Sequence, residues 1–463
     1  MVATPSTLAG YKYALALAAA CAAVAVQAAP IETLPVTPID VGAPLNHYHP
    51  AFGGKLKAWE APRAILKVAP NTTADDEIAG VVAPTGGRQL ETFGDGYTDL
   101  DKLADFLQWY EGGVTLEKSA ETLFERWPKA EMARIPWPGN YWASTADGIN
   151  NRWDGPDSLS PVEKYAKAYN KDVQKIADSV SRAVGVDAYS SSAKVCSTTA
   201  ECQPNGVDNG SYCSKRRGQS TGLCLEGWYG ICHAWAVAAI LEPEPRCPVT
   251  KNGVTFKPYD IKGLISQFFD DADAGSTYLG ARYYGVSGSD YVPGVDSYDR
   301  YKDATRRDIG PGLFHIALTN VLGRRGRGMI VERDNTEAVW NQPVRGYEIL
   351  EMKPVTEWTF KQYVDGVETD VVMSPDEYTY EFNRQARKLM YTRTRLSWIE
   401  EAYVDGELTT PDRIGQFTKL KEYEYLLELS SNGEIIGGEW VGSSIHDHPD
   451  FMWWPTGFYE TGT

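Results

Sequence analysis

Six of the seven cysteines fall between residues 196 and 247, and this cluster constrains the fold more than any other feature of the chain. Cys196, Cys202, Cys213 and Cys224 are separated by five, ten and ten residues, in a stretch rich in Gly, Ser, Asn and Asp without helical or strand periodicity. Cysteines spaced this way, with no C-x2-C knuckle, read as disulfide partners rather than zinc ligands. Two disulfides within one loop are expected, and three connectivities are open. Disulfides persist in oxidising compartments, and the N-terminus agrees. Lys12 precedes an apolar run from Ala14 to Val26 that ends in Val26-Gln27-Ala28, with small residues where a signal peptidase reads. That run is 13 residues long, short of the roughly 20 a membrane-spanning helix needs. The expectation is a secreted chain, extracellular or in the cell wall, cleaved after Ala28 and without a membrane span; Cys21 leaves with the signal.

Charge and length bound the rest. Lys and Arg total 45 against 62 Asp and Glu, a formal charge of −17 that repels a phosphate backbone and argues against nucleic-acid binding. With 463 residues, 43% of them hydrophobic, the chain can build a large core in two or three domains. After the signal peptide (1–28), residues 29–134 read as a linker followed by helices, with helical periodicity in 99–110 and 116–127. The Pro- and Trp-rich break Ile135-Pro-Trp-Pro-Gly-Asn-Tyr-Trp142 opens a core at 135–351, and within it the spacing predicts one long helix over 161–184, capped by Ser160. From His315 the pattern reads as a strand (315–322), a Gly-Arg turn and a second strand ending at Asp334. Strands in 388–398 and a hairpin turning at Asn432-Gly433 make 352–463 a β-rich region. The fold class is therefore α+β.

The residues with chemistry begin at Glu226-Gly-Trp-Tyr-Gly-Ile-Cys232, where a Gly-rich turn runs into an apolar helix. Cys232 at a helix start meets orphan N–H groups that favour a nucleophilic thiolate; the competing reading pairs it with Cys247. Of six histidines, His315 opens the first strand of the predicted hairpin and Asp334 ends the second, so antiparallel pairing would bring them close and let Asp334 orient the imidazole for Cys232; the alternative is a hairpin with an incidental His at one end. The His-x-His pairs 47/49 and 446/448 lack a third ligand and read as loop residues. These features alone describe a Cys-His-Asp acyltransferase or hydrolase. They do not separate a transglutaminase from a cysteine protease or amidase, nor from a non-enzymatic cell-wall or host-surface protein with a vestigial cysteine.

Cys at a helix start, then His, then Asp or Asn, is the order of the papain-like cysteine proteases, and Glu226-Gly-x-x-Gly-x-Cys232 resembles their approach to the nucleophile. More specifically, Val339-Trp340-Asn341-Gln342-Pro343-Val344-Arg345-Gly346-Tyr347-Glu348-Ile349-Leu350-Glu351 resembles the segment that defines the calcium-dependent transglutaminase elicitors of plant-pathogenic oomycetes. Looser similarity runs from about Ile135 to the C-terminus, including Ile149-Asn-Asn-Arg-Trp153 and His448-Pro-Asp-Phe451.

The resemblance implies a papain-like core and a secreted protein-glutamine γ-glutamyltransferase. Cys232 would attack a protein glutamine, His315 would act as base and Asp334 would orient it. Lysine-bearing proteins are the implied acceptors, a host receptor the implied reader of the 339–351 segment in plant defence, and calcium the implied cofactor. No calcium ligands are assigned; Asp270-Asp-Ala-Asp273 is acidic but lacks the EF-hand pattern. The papain-like pattern has Gln six residues before the nucleophile, whereas this chain has Glu226, whose ionised form would repel an oxyanion. Either Glu226 is protonated, or the Cys232 N–H and a Trp such as Trp228 replace it, or the match there is coincidental. Trp340 is expected to pack inward near the triad, within an irregular loop that turns Gln342 and Arg345 to solvent.

Overall fold

The computed structural model describes residues 92–93 and 97–458, apart from 273, 286–292, 296–299, 304–305, 308, 334–335, 356–357, 365–366, 374–382, 384 and 403–412. The expected signal peptide, most of the linker, His47, His49, Asp273 and Asp334 lie outside the described residues.

Helix α1 (Asp99–Trp109) starts at a capping box in which Thr98 and Asp101 bond reciprocally, and it buries Leu103, Phe106 and Leu107. Helix α2 is shorter than its apolar pattern suggests, Ala120–Arg126, because Ser119 caps it late, accepting from the Thr122 N–H. The long helix expected over 161–184 is two, α3 (Pro161–Ala168) and α4 (Val173–Ala183). Asn170 breaks it in the left-handed region at φ 51°, and Asp172 caps the second piece. Helix α5 (Cys232–Leu241) is apolar all round and buried from Cys232 to Ile240, the signature of a central helix. It packs against α6 (Pro258–Asp271).

The run from His315 is not a strand. It is helix α7 (Pro311–Ala317), which continues as a π-helix over Leu318–Arg324. Pro311 presets the first helical turn after Gly310, and every residue from Pro311 to Leu322 is buried. A short run apolar on all sides carries no period to tell helix from strand.

One curled antiparallel sheet organises the second half of the chain. Its strands are β1 (Lys129–Glu131), β2 (Ala274–Gly280), β3 (Ile330–Glu332), β4 (Asn341–Pro354), β5 (Lys388–Ile399), β6 (Thr418–Leu429), β7 (Ile435–Trp440) and β8 (Phe451–Phe458). The order is β7-β6-β5-β4-β3-β8-β2, with β1 also pairing β4. The sheet thus crosses the segment boundaries expected at 134/135 and 351/352. The predicted hairpin is β6 and β7, turning through Gly433 at φ 82°.

The 339–351 segment is the main departure. It is mostly a central strand rather than an irregular loop: β4 pairs β3 from Asn341 to Pro343 and β5 from Val344 onward. The two residues that argued for a loop sit where the ladder tolerates them. Gly346 follows a register shift after Val344, and a Cβ there would lie 2.7 Å from the Ala130 carbonyl oxygen. Pro343 faces Ile330, while the Val344 N–H donates to Met329 O at 2.8 Å.

Candidate active site

The Gly-rich turn before α5 is held by Tyr141. Its carbonyl accepts from the Ile231 N–H (2.7 Å) and its hydroxyl donates to Gly227 O (2.8 Å). A Cβ on Gly230 would lie 2.5 Å from the same Tyr141 carbonyl oxygen, so only glycine lets the chain enter the helix here. Both expected disulfides are present, as Cys196–Cys213 and Cys202–Cys224. Cys232 is a free, buried thiol and does not bridge to Cys247. The Cys202–Cys224 bridge pins the strand Gly222–Glu226 that feeds the turn.

Cys232 Sγ lies 3.6 Å from the carbonyl oxygen of Val339, to which it donates, and accepts from Asn341 Nδ2 at 3.5 Å. Both partners belong to the 339–351 segment, which therefore covers the thiol: Cys232 is 1% exposed and Val339 fully buried. Burial pushes the thiol up to about 11; the side-chain amide and backbone N–H of Asn341 oppose this, and the Glu401 and Glu332 carboxylates add to it. Glu401 follows β5, accepts from Gln342 Nε2 (2.8 Å) and is itself pushed up to about 7 by burial. Glu332 is fully buried and accepts from the Trp340 N–H at 2.8 Å. The described groups that act on the sulfur are thus the amide of Asn341 and the carboxylates of Glu401 and Glu332.

His315 is not joined to Cys232. Its Nδ1 meets the Tyr425 hydroxyl at 2.8 Å, and its Nε2 is buried without a hydrogen bond. Burial pulls the imidazole down to about 3, so it is neutral. Glu226 accepts from Trp228 Nε1 (2.5 Å), and neither side chain bonds to the thiol. Trp340 is half-buried, its ring edge-on to Tyr141 with centroids 5.4 Å apart. Arg345 does not point freely to solvent: it pairs with Glu131 (2.7 Å) and donates to Thr418 Oγ1 (2.8 Å), and Gln342 is buried. His448 is buried against Trp440, with its Nδ1 2.6 Å from Ser444 O.

Four residues that sequence reasoning passed over as site residues, or took only as part of the segment, therefore shape this site: Asn341, Glu401, Tyr141 and Trp453, whose indole Nε1 donates to Asn341 Oδ1 at 2.8 Å. Period-2 alternation along 339–343, had that run been read as a strand, would have set Asn341 and Gln342 on opposite faces.

A transglutaminase elicitor family model matches residues 99–462. The chain belongs to the transglutaminase elicitor family. A solved structure, that of the GP42 transglutaminase from Phytophthora sojae, shares 37% identity with this family member over 78% of this chain and 92% of that one, with a TM-score of 0.62. No curated protein matches it. Among the described residues, no helix is long and apolar enough to cross a membrane. Among the described residues, the group of His, Cys, Asp and Glu atoms near enough to share a metal is Cys196, Cys202 and Cys224, all held in disulfides.

Proposed function

We propose that this family member is a secreted protein-glutamine γ-glutamyltransferase with Cys232 as nucleophile. The observation that carries the reading is the free thiol at the start of a buried helix, touched by the carbonyl of Val339 and the amide of Asn341. The sulfur would attack the γ-carboxamide of a protein glutamine, forming a C–S bond and releasing ammonia, which carries away the thiol proton. A lysine amine would then attack the thioester, forming the isopeptide bond and returning the thiol. The papain-like hydrolase reading uses the same thioester and differs in that water takes the acyl group.

His315 and Asp334 remain the proposed proton relay from the resemblance. In the described arrangement His315 faces Tyr425, so service to Cys232 requires the ring or its helix to move. The same closure that shields the sulfur keeps it protonated, so the resting arrangement stores the nucleophile rather than presents it.

Calcium is proposed from the resemblance alone. Asp270 is engaged by His233 Nε2 (3.1 Å) and Gln267 (3.3 Å), and Asp271 by the same Gln267 (3.4 Å). These two carboxylates therefore do not fit an oxygen cage for a cation, and no step is routed through calcium.

A host receptor for the 339–351 segment is likewise part of the proposal. In the fold, Trp340, Arg345, Glu348, Leu350 and Glu351 are its partly exposed residues, while Asn341, Gln342, Pro343 and Val344 are buried.

Incorporation of a labelled amine into a glutamine-bearing protein tests the chemistry. Incorporation by the wild type and none by a folded Cys232→Ser protein is expected. Turnover by Cys232→Ser rejects the nucleophile, and peptide cleavage without incorporation favours the hydrolase.

A further inference from the structure

A thioester-forming cysteine needs donors aimed at the charge that develops on sulfur and then on the substrate's carbonyl oxygen. In the papain-like pattern an amide six residues before the nucleophile supplies one. Here that position is Glu226, a carboxylate already bonded to Trp228 Nε1, so the donor must come from elsewhere.

We propose that Asn341 is that donor, a catalytic residue whose side-chain amide stabilises negative charge at Cys232 Sγ and the adjoining oxyanion, and that Trp453 is the positioning residue that aims it. The proposal rests on the reading of Cys232 as nucleophile.

Three observations carry it. Asn341 Nδ2 lies 3.5 Å from the sulfur, and the backbone N–H of the same residue also acts on the thiol. Oxygen and nitrogen of an asparagine amide are ordinarily interchangeable by a flip, but here the choice is forced. Trp453 Nε1 can only donate, and it donates to Oδ1 at 2.8 Å, so the NH2 end must face Cys232.

The clamp is also rigid. Asn341 and Trp453 stand on β4 and β8, the two strands that flank β3, and Ile330 of β3 is the register partner of both Pro343 and Trp453. Asn341 is two residues from Pro343 and so shares its face of the sheet, which lets a long indole reach across the intervening strand. Both side chains are fully buried. A donor held this firmly needs no reorganisation when charge appears.

The test uses the full chain with three variants, Asn341→Asp, Trp453→Phe and Cys232→Ser. Two readouts are needed: steady-state amine incorporation, and the pH dependence of iodoacetamide alkylation of Cys232. Asn341→Asp keeps the shape and removes the donor. It should lower kcat by about 10²–10³-fold, leave KM for the glutamine substrate within about twofold, and move the alkylation midpoint to higher pH. Trp453→Phe keeps the ring and frees the amide to flip. It should move the midpoint in the same direction and lower kcat about tenfold, the worth of one hydrogen bond.

Wild-type kcat with an unmoved midpoint in Asn341→Asp overturns the assignment of Asn341, and the same result in Trp453→Phe overturns the clamp. Should Asn341→Asp fail to fold, Trp453→Phe decides alone, because a purely structural indole would not move the thiol's pH profile. Residual incorporation by Cys232→Ser is the separate signature that the nucleophile itself was misassigned.

Discussion

Trp340 meets Tyr141 edge to face, with ring centroids 5.4 Å apart, and Tyr141 is also the residue that braces the turn into Cys232. The two aromatic rings thus tie the approach to β4 to the start of α5, where Cys232 stands. Trp340→Ala should lower stability by about 1–2 kcal/mol, the scale of one such ring pair with its apolar contact, and loosen the cover. Faster alkylation of Cys232 in a folded Trp340→Ala protein is the result to look for. An unchanged alkylation rate and melting temperature would mean that the ring closes nothing.

Arg345 belongs to the same segment and predicts the opposite. Its partners are the half-exposed Glu131 and the hydroxyl of Thr418, and pairs of this kind contribute within about 1 kcal/mol. Arg345→Ala should melt close to the wild type and incorporate amine at the wild-type rate. A dead enzyme would place Arg345 in the acyl site.

Glu401 gives a pH-dependent prediction. Its carboxyl is pushed up to about 7, and its charge raises the Cys232 thiol. Below pH 7 it is mostly neutral and has little effect; above pH 7 it ionises and holds the thiol protonated. Glu401→Gln should therefore alkylate like the wild type at pH 6 and about threefold faster or more at pH 8. Equal rates at both pH values would show that the carboxylate does not reach the sulfur.

His315 titrates in the other direction. An unfolded imidazole takes a proton near 6.5, while burial holds the folded one down at about 3. The folded protein loses stability as pH falls from 6.5 towards 3, and that contribution is fully present above 6.5. At pH 4.5 the loss is roughly 2–3 kcal/mol relative to pH 7, and His315→Gln should remove that part of it. Urea denaturation at the two pH values measures the difference. On the proposed relay, folded His315→Gln should lose amine incorporation; a folded variant that incorporates at the wild-type rate would remove His315 from the relay.

What the sequence made legible was what local chemistry decides. The Gly-rich turn and apolar run placed Cys232 at a helix start because glycines and an all-round apolar pattern act within a few residues. The cysteine spacing announced two disulfides, and alternation marked Lys388–Ile399 and the hairpin at Gly433. What stayed hidden depends on distant partners. Asn341 acquires its role only when Trp453, 112 residues away, fixes its amide. Asn341–Pro354 is a strand despite Pro343 and Gly346, because β1, β3 and β5 accept its irregularities. His315 was misplaced because a fully buried run has no polar face to set its period.

The buried half of the 339–351 segment bears on recognition. A receptor that reads the whole segment as a linear peptide cannot reach Asn341 to Val344 in the fold, whereas an unfolded or proteolysed chain offers them all. Plant-cell defence responses to reduced, alkylated protein should exceed those to native protein at equal concentration. Equal responses would mean that the half-exposed Trp340, Arg345, Glu348, Leu350 and Glu351 suffice.

The cover over Cys232 has a further consequence in an oxidising compartment. The chain carries Cys202–Cys224 only eight residues ahead of a reduced sulfur, and an accessible thiolate would attack such a bridge and scramble it. Lodged under Val339 and kept protonated, the sulfur is denied both to its neighbours and to peroxide. The fold thereby lets a reduced sulfur and a cross-linked scaffold share one stretch of chain, each kept chemically blind to the other by the carbonyl of Val339.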